Sequence, residues 1–350
     1  MKYGMNLLMW TDTLTDAMLP LLEELKEIGY DTVELPCFDL DDLDNYRKWG
    51  KRLDELGLER TGTAVRGPDA NMISPDPEVR RRGIEQNKRN LDCCAAAGCK
   101  IMAGPFHSAL GVFTGKGPTP DEWKWGVEAM REVAEYADQV GVTLAVEYLN
   151  RFECYFLNTA ADLARFCAEV NHPRCRAMYD TFHSHIEEKN TTKAILALKD
   201  YLVHVHISEN DRSTPGQGNV RWQETFDALA KIKYDGLLVV EAFGLALDKL
   251  VPATKIWRRM YESERQLATD ALRFMKREVA KRWKKPAKPA KAPAKAAVKA
   301  TQTPAKAAVK AIKATPKAAA KTKPTKSKTT KTTPAKSAKS KAKTSRSKSR

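Results

Sequence analysis

No stretch of this 350-residue chain approaches 18 consecutive apolar residues, so no segment is expected to span a membrane. It has no Cys-x-x-Cys pair, and its seven cysteines (37, 93, 94, 99, 154, 167 and 175) are odd in number. The spacing is not that of a zinc knuckle or a disulfide framework, and reduced, buried thiols in a cytoplasmic protein are expected. The short apolar run Met5–Trp10 meets Asp12 at once and has no small-residue cleavage site, so it predicts a first strand rather than a signal peptide. No Gly-x-Gly-x-x-Gly turn follows that run, which counts against an open dinucleotide-binding sheet. Acidic residues are absent after Glu278, whereas 24 of the 60 Lys and Arg lie from Lys281 onward. The first 280 residues thus carry a net charge of −8 and the remainder +24; the overall +16 belongs to the tail.

What is present is a steady alternation. Apolar runs at Gly4–Met9, Thr32–Leu35, Arg60–Val65, Lys100–Ala103, Thr143–Glu147, Cys175–Asp180, Leu202–Ile207 and Leu237–Glu241 predict strands. Amphipathic segments at about 15–28, 42–56, 76–97, 120–140, 158–170, 187–199, 222–233 and 253–283 predict helices. Eight short strands of continuous apolar character, each followed by a helix, predict a (βα)8 TIM barrel over residues 1–283. Gly29, Gly57, Gly98, Gly141 and Gly236 stand where helices should close in the left-handed conformation. Asn158-Thr-Ala-Ala-Asp and Asp121-Glu-Trp read as helix starts.

Residues 284–350 are Lys, Ala, Pro, Thr and Ser, and Pro293–Ala300 recurs as Pro304–Ala311. Such a segment cannot bury enough surface to offset its ordering entropy and is expected to be disordered. In composition it resembles the tails of linker histones and of some bacterial histone-like proteins. A polycation of this kind is expected to bind nucleic acid or other polyanions non-specifically, and so to associate with the nucleoid.

Four of the predicted strands end in a metal-binding residue type: Glu147, Asp180, His206 and Glu241. In a parallel barrel those ends converge at one rim. Three carboxylates and an imidazole suit one divalent cation such as Mn2+, Co2+ or Mg2+, and with no Cys among them structural zinc is disfavoured. A single acidic residue at a strand end is usually a helix cap; four in consecutive strands are not explained that way. His204 alternates with His206 and is expected to face away from the metal as a packed core histidine. His172, in a loop, is expected to be exposed.

The flanking residues add a resemblance. Glu147-Tyr-Leu-Asn-Arg-Phe-Glu153, Asp180-Thr-Phe-His183-Ser-His-Ile-Glu-Glu, His204-Val-His206-Ile-Ser-Glu-Asn-Asp-Arg212 with Pro215-Gly-Gln-Gly218, and Tyr234-Asp-Gly-Leu-Leu-Val-Val-Glu241-Ala-Phe243 follow one another in order. Over residues 1–280 the chain resembles the xylose isomerase-like barrels, most closely the ketose 3-epimerases acting on D-tagatose and D-psicose (allulose). The resemblance implies one Mn2+-type ion on Glu147, Asp180, His206 and Glu241. It also implies inversion of C3 of a free ketose through a cis-enediolate, with Glu147 and Glu241 as the acid/base pair. Glu153, His183 and Arg212 match positions that bind the O1–O3 end of the sugar, and His107 could line the pocket. A homodimer or homotetramer is implied by analogy.

Two departures concern the far end of the sugar. The segment Phe106–Trp123 lacks a Trp-Pro found in some epimerases, and Ala242 stands where Pro often follows the last glutamate. Hydroxypyruvate isomerases, inosose dehydratases and sugar-phosphate 3-epimerases share the four ligands and are the alternatives. An endonuclease IV-like enzyme fits the tail but needs several more strand-end histidines than six in all allow.

Overall fold

Eight parallel strands close on themselves in chain order, the first pairing with the last, in a computed structural model that describes residues 1–283. The tail expected at 284–350 lies outside the described residues. The strands are β1 (Lys2–Asn6), β2 (Thr32–Pro36), β3 (Glu59–Thr63), β4 (Ile101–Gly104), β5 (Thr143–Glu147), β6 (Cys175–Asp180), β7 (Leu202–Ile207) and β8 (Leu237–Val240). The helices are α1 (Leu19–Ile28), α2 (Leu43–Leu56), α3 (Pro77–Ala97), α4 (Pro120–Gln139), α5 (Ala160–Val170), α6 (Thr181–Glu187), α7 (Thr191–Ala197), α8 (Trp222–Lys231), α9 (Leu250–Thr254) and α10 (Glu264–Arg282). This is the TIM barrel expected from the alternation. No helix among the described residues is long and apolar enough to cross a membrane.

Local chemistry sets the element ends. Thr119 and Glu122 form a reciprocal capping box with Pro120 in the first turn of α4, and Thr159 caps α5 through the Asp162 amide. Gly29, Gly57, Gly98 and Gly141 all take positive φ after their helices. Gly236 does not; after α8 it is Lys233, at φ 56°, that takes the left-handed turn. Strand β1 ends at Asn6, short of the expected Met9, because the Asn6 side chain accepts from the Leu8 amide and starts a 3-10 turn. The helix expected at 187–199 is α7, capped by Asn190, and an unexpected helix, α6, precedes it under an Asp180 cap. The segment expected as one helix at 253–283 breaks at Lys255, φ 61°, and resumes at α10 under a Ser263 cap.

Inside the barrel the two halves differ. Ala103, Ala145 and Met178, from β4, β5 and β6, form a small apolar floor. Opposite them Asn6, Glu34 and Thr61 share one register row across β1, β2 and β3 and are buried. Side chains two residues apart on a strand share a face. Ala145 and Met178 point inward, so Glu147 and Asp180 do too, one layer nearer the C-terminal rim. The same rule corrects the expectation for His204. It lies on the interior side with His206, fully buried, its Nε2 3.0 Å from Glu34 Oε2. His172 is half-buried, with Nδ1 accepting from the Arg174 amide, rather than exposed.

Candidate active site

Glu147, Asp180, His206 and Glu241 converge at the C-terminal mouth, all buried, each offering a ligand atom within 4.8 Å of the others. Asp180 divides its carboxylate: Oδ1 accepts from the Phe182 and His183 amides and caps α6, leaving Oδ2 to face the cluster. His206 Nδ1 lies 3.3 Å from Glu241 Oε1 and 3.6 Å from Asp180 Oδ2. Among the described residues, His206 Nδ1 and Glu147 Oε1 are buried without a hydrogen-bond partner. Buried polar atoms are almost always satisfied, so two orphaned metal-ligand atoms at one point fit a cation. Three carboxylates with one imidazole is a donor set for a hard or borderline divalent ion.

The charges are strongly coupled. Burial, then repulsion from Glu241 and Asp180, raises the Glu147 pKa well above the carboxylate range. Burial also pushes Glu241 upward, but His206 and Arg212 outweigh it and hold its pKa below the usual value. Burial opposes charge on His206, yet Glu241 and Glu34 reverse this and raise its pKa well above that of an ordinary imidazole.

Beneath the cluster lies a residue that the sequence reading missed. Glu34 is wholly buried and meets three donors, Asn6 Nδ2 at 2.8 Å and His206 Nε2 at 2.7 Å on Oε1 and Thr61 Oγ1 at 2.8 Å on Oε2, while His204 Nε2 lies 3.0 Å from Oε2 outside hydrogen-bond geometry. Burial alone would raise its pKa, but His206 and His204 bring it down. The carboxylate is therefore charged.

Arg212 closes the cluster from the rim. Its Nη1 donates to Glu241, to Ser208 Oγ at 3.1 Å and to Asp180 Oδ2 at 3.3 Å, while the guanidinium stacks 3.7 Å over Phe182. Its backbone is left-handed, φ 63°. The turn is held by a second residue missed in the sequence, Glu209. That buried carboxylate accepts from the amides of Asn210, Gly216 and Val220 and from the Trp222 indole. The Pro215–Gly218 segment wraps it so closely that a Cβ at Gly218 would sit 2.6 Å from Glu209 Oε1.

His183 is neutral, its pKa brought down to about 3 by burial and then by Arg212. The Asn150 amide donates to Nδ1 at 3.1 Å, which leaves the ring proton on Nε2, 3.5 Å from Glu147 Oε1. Asn150 Nδ2 also donates to Glu153 Oε1 at 2.8 Å. Glu153 and Asn150 line a cavity of about 480 Å3 with Leu110, Phe152, Phe182 and Ile186. His107 begins the segment that supplies Leu110, but its own ring is buried against Phe156, with Nδ1 2.9 Å from Ser108 Oγ. Burial holds the His107 pKa down to about 4. A cavity of about 620 Å3 opens at the opposite end of the barrel, lined by Lys2, Glu59, Arg60 and Asp235 and remote from the cluster.

The sequence model described as "xylose isomerase-like TIM barrel" matches residues 22–278. The chain belongs to this family. Among relatives of this xylose isomerase-like barrel, the D-psicose 3-epimerase of Enterocloster bolteae is 32% identical over 77% of this chain and 92% of its own length. The D-psicose 3-epimerase of Ruminiclostridium cellulolyticum is 30% identical over 79% of this chain and 98% of its own. A solved structure of an L-ribulose 3-epimerase superposes with a TM-score of 0.77 at 30% identity, covering 81% of this chain and 95% of that one.

Proposed function

We propose that this xylose isomerase-like barrel is a metal-dependent ketose 3-epimerase acting on a free sugar. The observation that supports it best is the meeting of Glu147 and Glu241, from β5 and β8, in one buried cluster with Asp180 and His206. Relatives at about this distance are named for D-psicose and L-ribulose. Glu147, Asp180, His206 and Glu241 would hold one divalent ion, Mn2+ first, with Co2+ or Mg2+ as substitutes. When bound, that ion supplies Lewis-acid polarisation of the ketose carbonyl, which acidifies the neighbouring C–H.

The chain's own residues do the rest. One of the two glutamates removes the C3 proton and the other returns a proton to the opposite face, inverting the centre. In the ion-free site their pKa values are driven apart, Glu147 up and Glu241 down, and a bound cation would lower both. The Arg212 guanidinium and the His183 Nε2–H would donate to the oxygens on which enediolate charge develops. Glu153 would accept from a hydroxyl at the same end of the sugar. His107 would act on the pocket only from behind the Leu110 segment. The apolar cavity wall, with Lys255 already donating to the Pro252 carbonyl, supports an unphosphorylated substrate. A homodimer or homotetramer, and polyanion binding by the lysine-rich tail, complete the proposal.

The test is incubation with Mn2+ and D-fructose, D-tagatose or L-ribulose in D2O, with chromatography and NMR of the products. Deuterium at C3 of an inverted ketose is expected. Glu147→Gln and Glu241→Gln should each slow turnover by about 10²–10⁴-fold. Aldose products or label at C1 would assign the chain to the neighbouring isomerases instead; no product from any ketose would sink the proposal.

A further inference from the structure

We infer that Glu34 is a positioning residue for the metal site, fixing His206 so that Nδ1 alone faces the ion. The inference deepens the proposed metal site but does not depend on which sugar, if any, the protein turns over.

A neutral imidazole carries one proton and offers one lone pair. With His206 Nε2 2.7 Å from Glu34 Oε1, an oxygen that already accepts from Asn6 Nδ2, the proton belongs on Nε2 and the lone pair on Nδ1, among Glu147, Asp180 and Glu241. The ring could present a ligand nitrogen in other orientations if that anchor were absent, since nothing else among the described residues accepts from Nε2. Glu34 is itself immobile. Asn6 and Thr61, its register neighbours in β1 and β3, donate to its two oxygens. Its negative charge one layer below the cluster also raises the basicity of His206 toward a cation.

His204 tests the assignment, because it touches the same carboxylate from the same strand without reaching the cluster. Both its ring nitrogens lack well-directed hydrogen bonds. It shares Oε2, not the Oε1 that holds His206. Removing His204 should therefore leave the His206 anchor intact, whereas neutralising Glu34 should not. In Glu34→Gln a single carbonyl oxygen must serve two imidazoles, and the negative charge is gone.

The experiment measures Mn2+ binding by the EPR signal of the free ion, with pulsed EPR of the bound ion to detect the 14N modulation of a directly bound imidazole. Glu34→Gln should bind Mn2+ about 10–100-fold more weakly and show altered or lost 14N modulation. His204→Phe should keep both the affinity and the modulation. Thr61→Val, which only loosens the carboxylate, should weaken binding by less and serves if Glu34→Gln does not fold. Unchanged affinity and modulation in Glu34→Gln, or in Thr61→Val where it stands in, would overturn the assignment. So would a loss in His204→Phe as large as that in Glu34→Gln. Wild-type protein that binds Mn2+ but converts no ketose would refute the proposed reaction and leave this inference standing.

Discussion

Arg212 donates to the Glu241 carboxylate while its guanidinium plane stacks 3.7 Å over Phe182, so one side chain spans a metal-site glutamate and an aromatic face. A lysine ammonium is a point charge and cannot span both. Arg212→Lys should lower kcat/KM by about 10²–10³-fold with the circular dichroism spectrum unchanged. Arg212→Ala should also destabilise the metal-free protein by about 3–5 kcal/mol, since Glu241 and Asp180 lose their buried counter-charge. Denaturant titration and steady-state kinetics check the two; less than about a tenfold kinetic loss would remove Arg212 from the chemistry.

Loading the site should release protons. Glu147 and His206 both have raised pKa values in the ion-free chain, and a ligand must bind in its deprotonated form. Calorimetric Mn2+ titrations in two buffers of different ionisation enthalpy should give different apparent heats, with affinity falling as pH falls. Heats independent of buffer would contradict the raised values.

Stability should follow the same groups with a definite sign. Glu147 and His206, raised in the fold, contribute stability that is present at low pH and lost as pH rises through their folded values. Glu34 and Glu241, lowered, contribute stability that is lost only on acidification. The melting temperature of the metal-free protein should therefore decline as pH is raised above neutrality, and saturating Mn2+ should reverse the trend. A metal-free melting temperature that climbs with pH would be the wrong sign.

Truncation after Trp283 removes 22 of the 24 tail cations. It should abolish salt-sensitive retention on DNA while leaving turnover unchanged. Retention should fall linearly on a log–log plot against salt for the full chain. A large loss of turnover on truncation would mean that the tail serves the site.

The four candidate ligands were legible because each closes a continuous apolar run, and a parallel barrel turns run ends into one rim. Glu34 was not legible. It sits in the middle of Thr32–Pro36, between β1 and β3, and only closure of the barrel brings the β7 histidines across the interior to meet it. Glu209 was visible only as part of a motif, since its partners Gly216, Val220 and Trp222 are brought to it by a turn no periodicity announces. His204 was misplaced by a parity error: residues two apart share a face. Helix α6 was missed because Asp180 ends a strand and caps a helix at once, leaving no loop between them to read.

Asp180, His206, Arg212 and the two glutamates come from β5 to β8 and the turns directly after them. Half of the cavity wall comes from elsewhere, Leu110 and Gly111 after β4 and Ala253–Lys255 around α9. That half can be edited without touching the rim. Substrate range in such a barrel is a property of removable trim, and the same catalytic rim could be refitted to a different sugar by exchanging two loops.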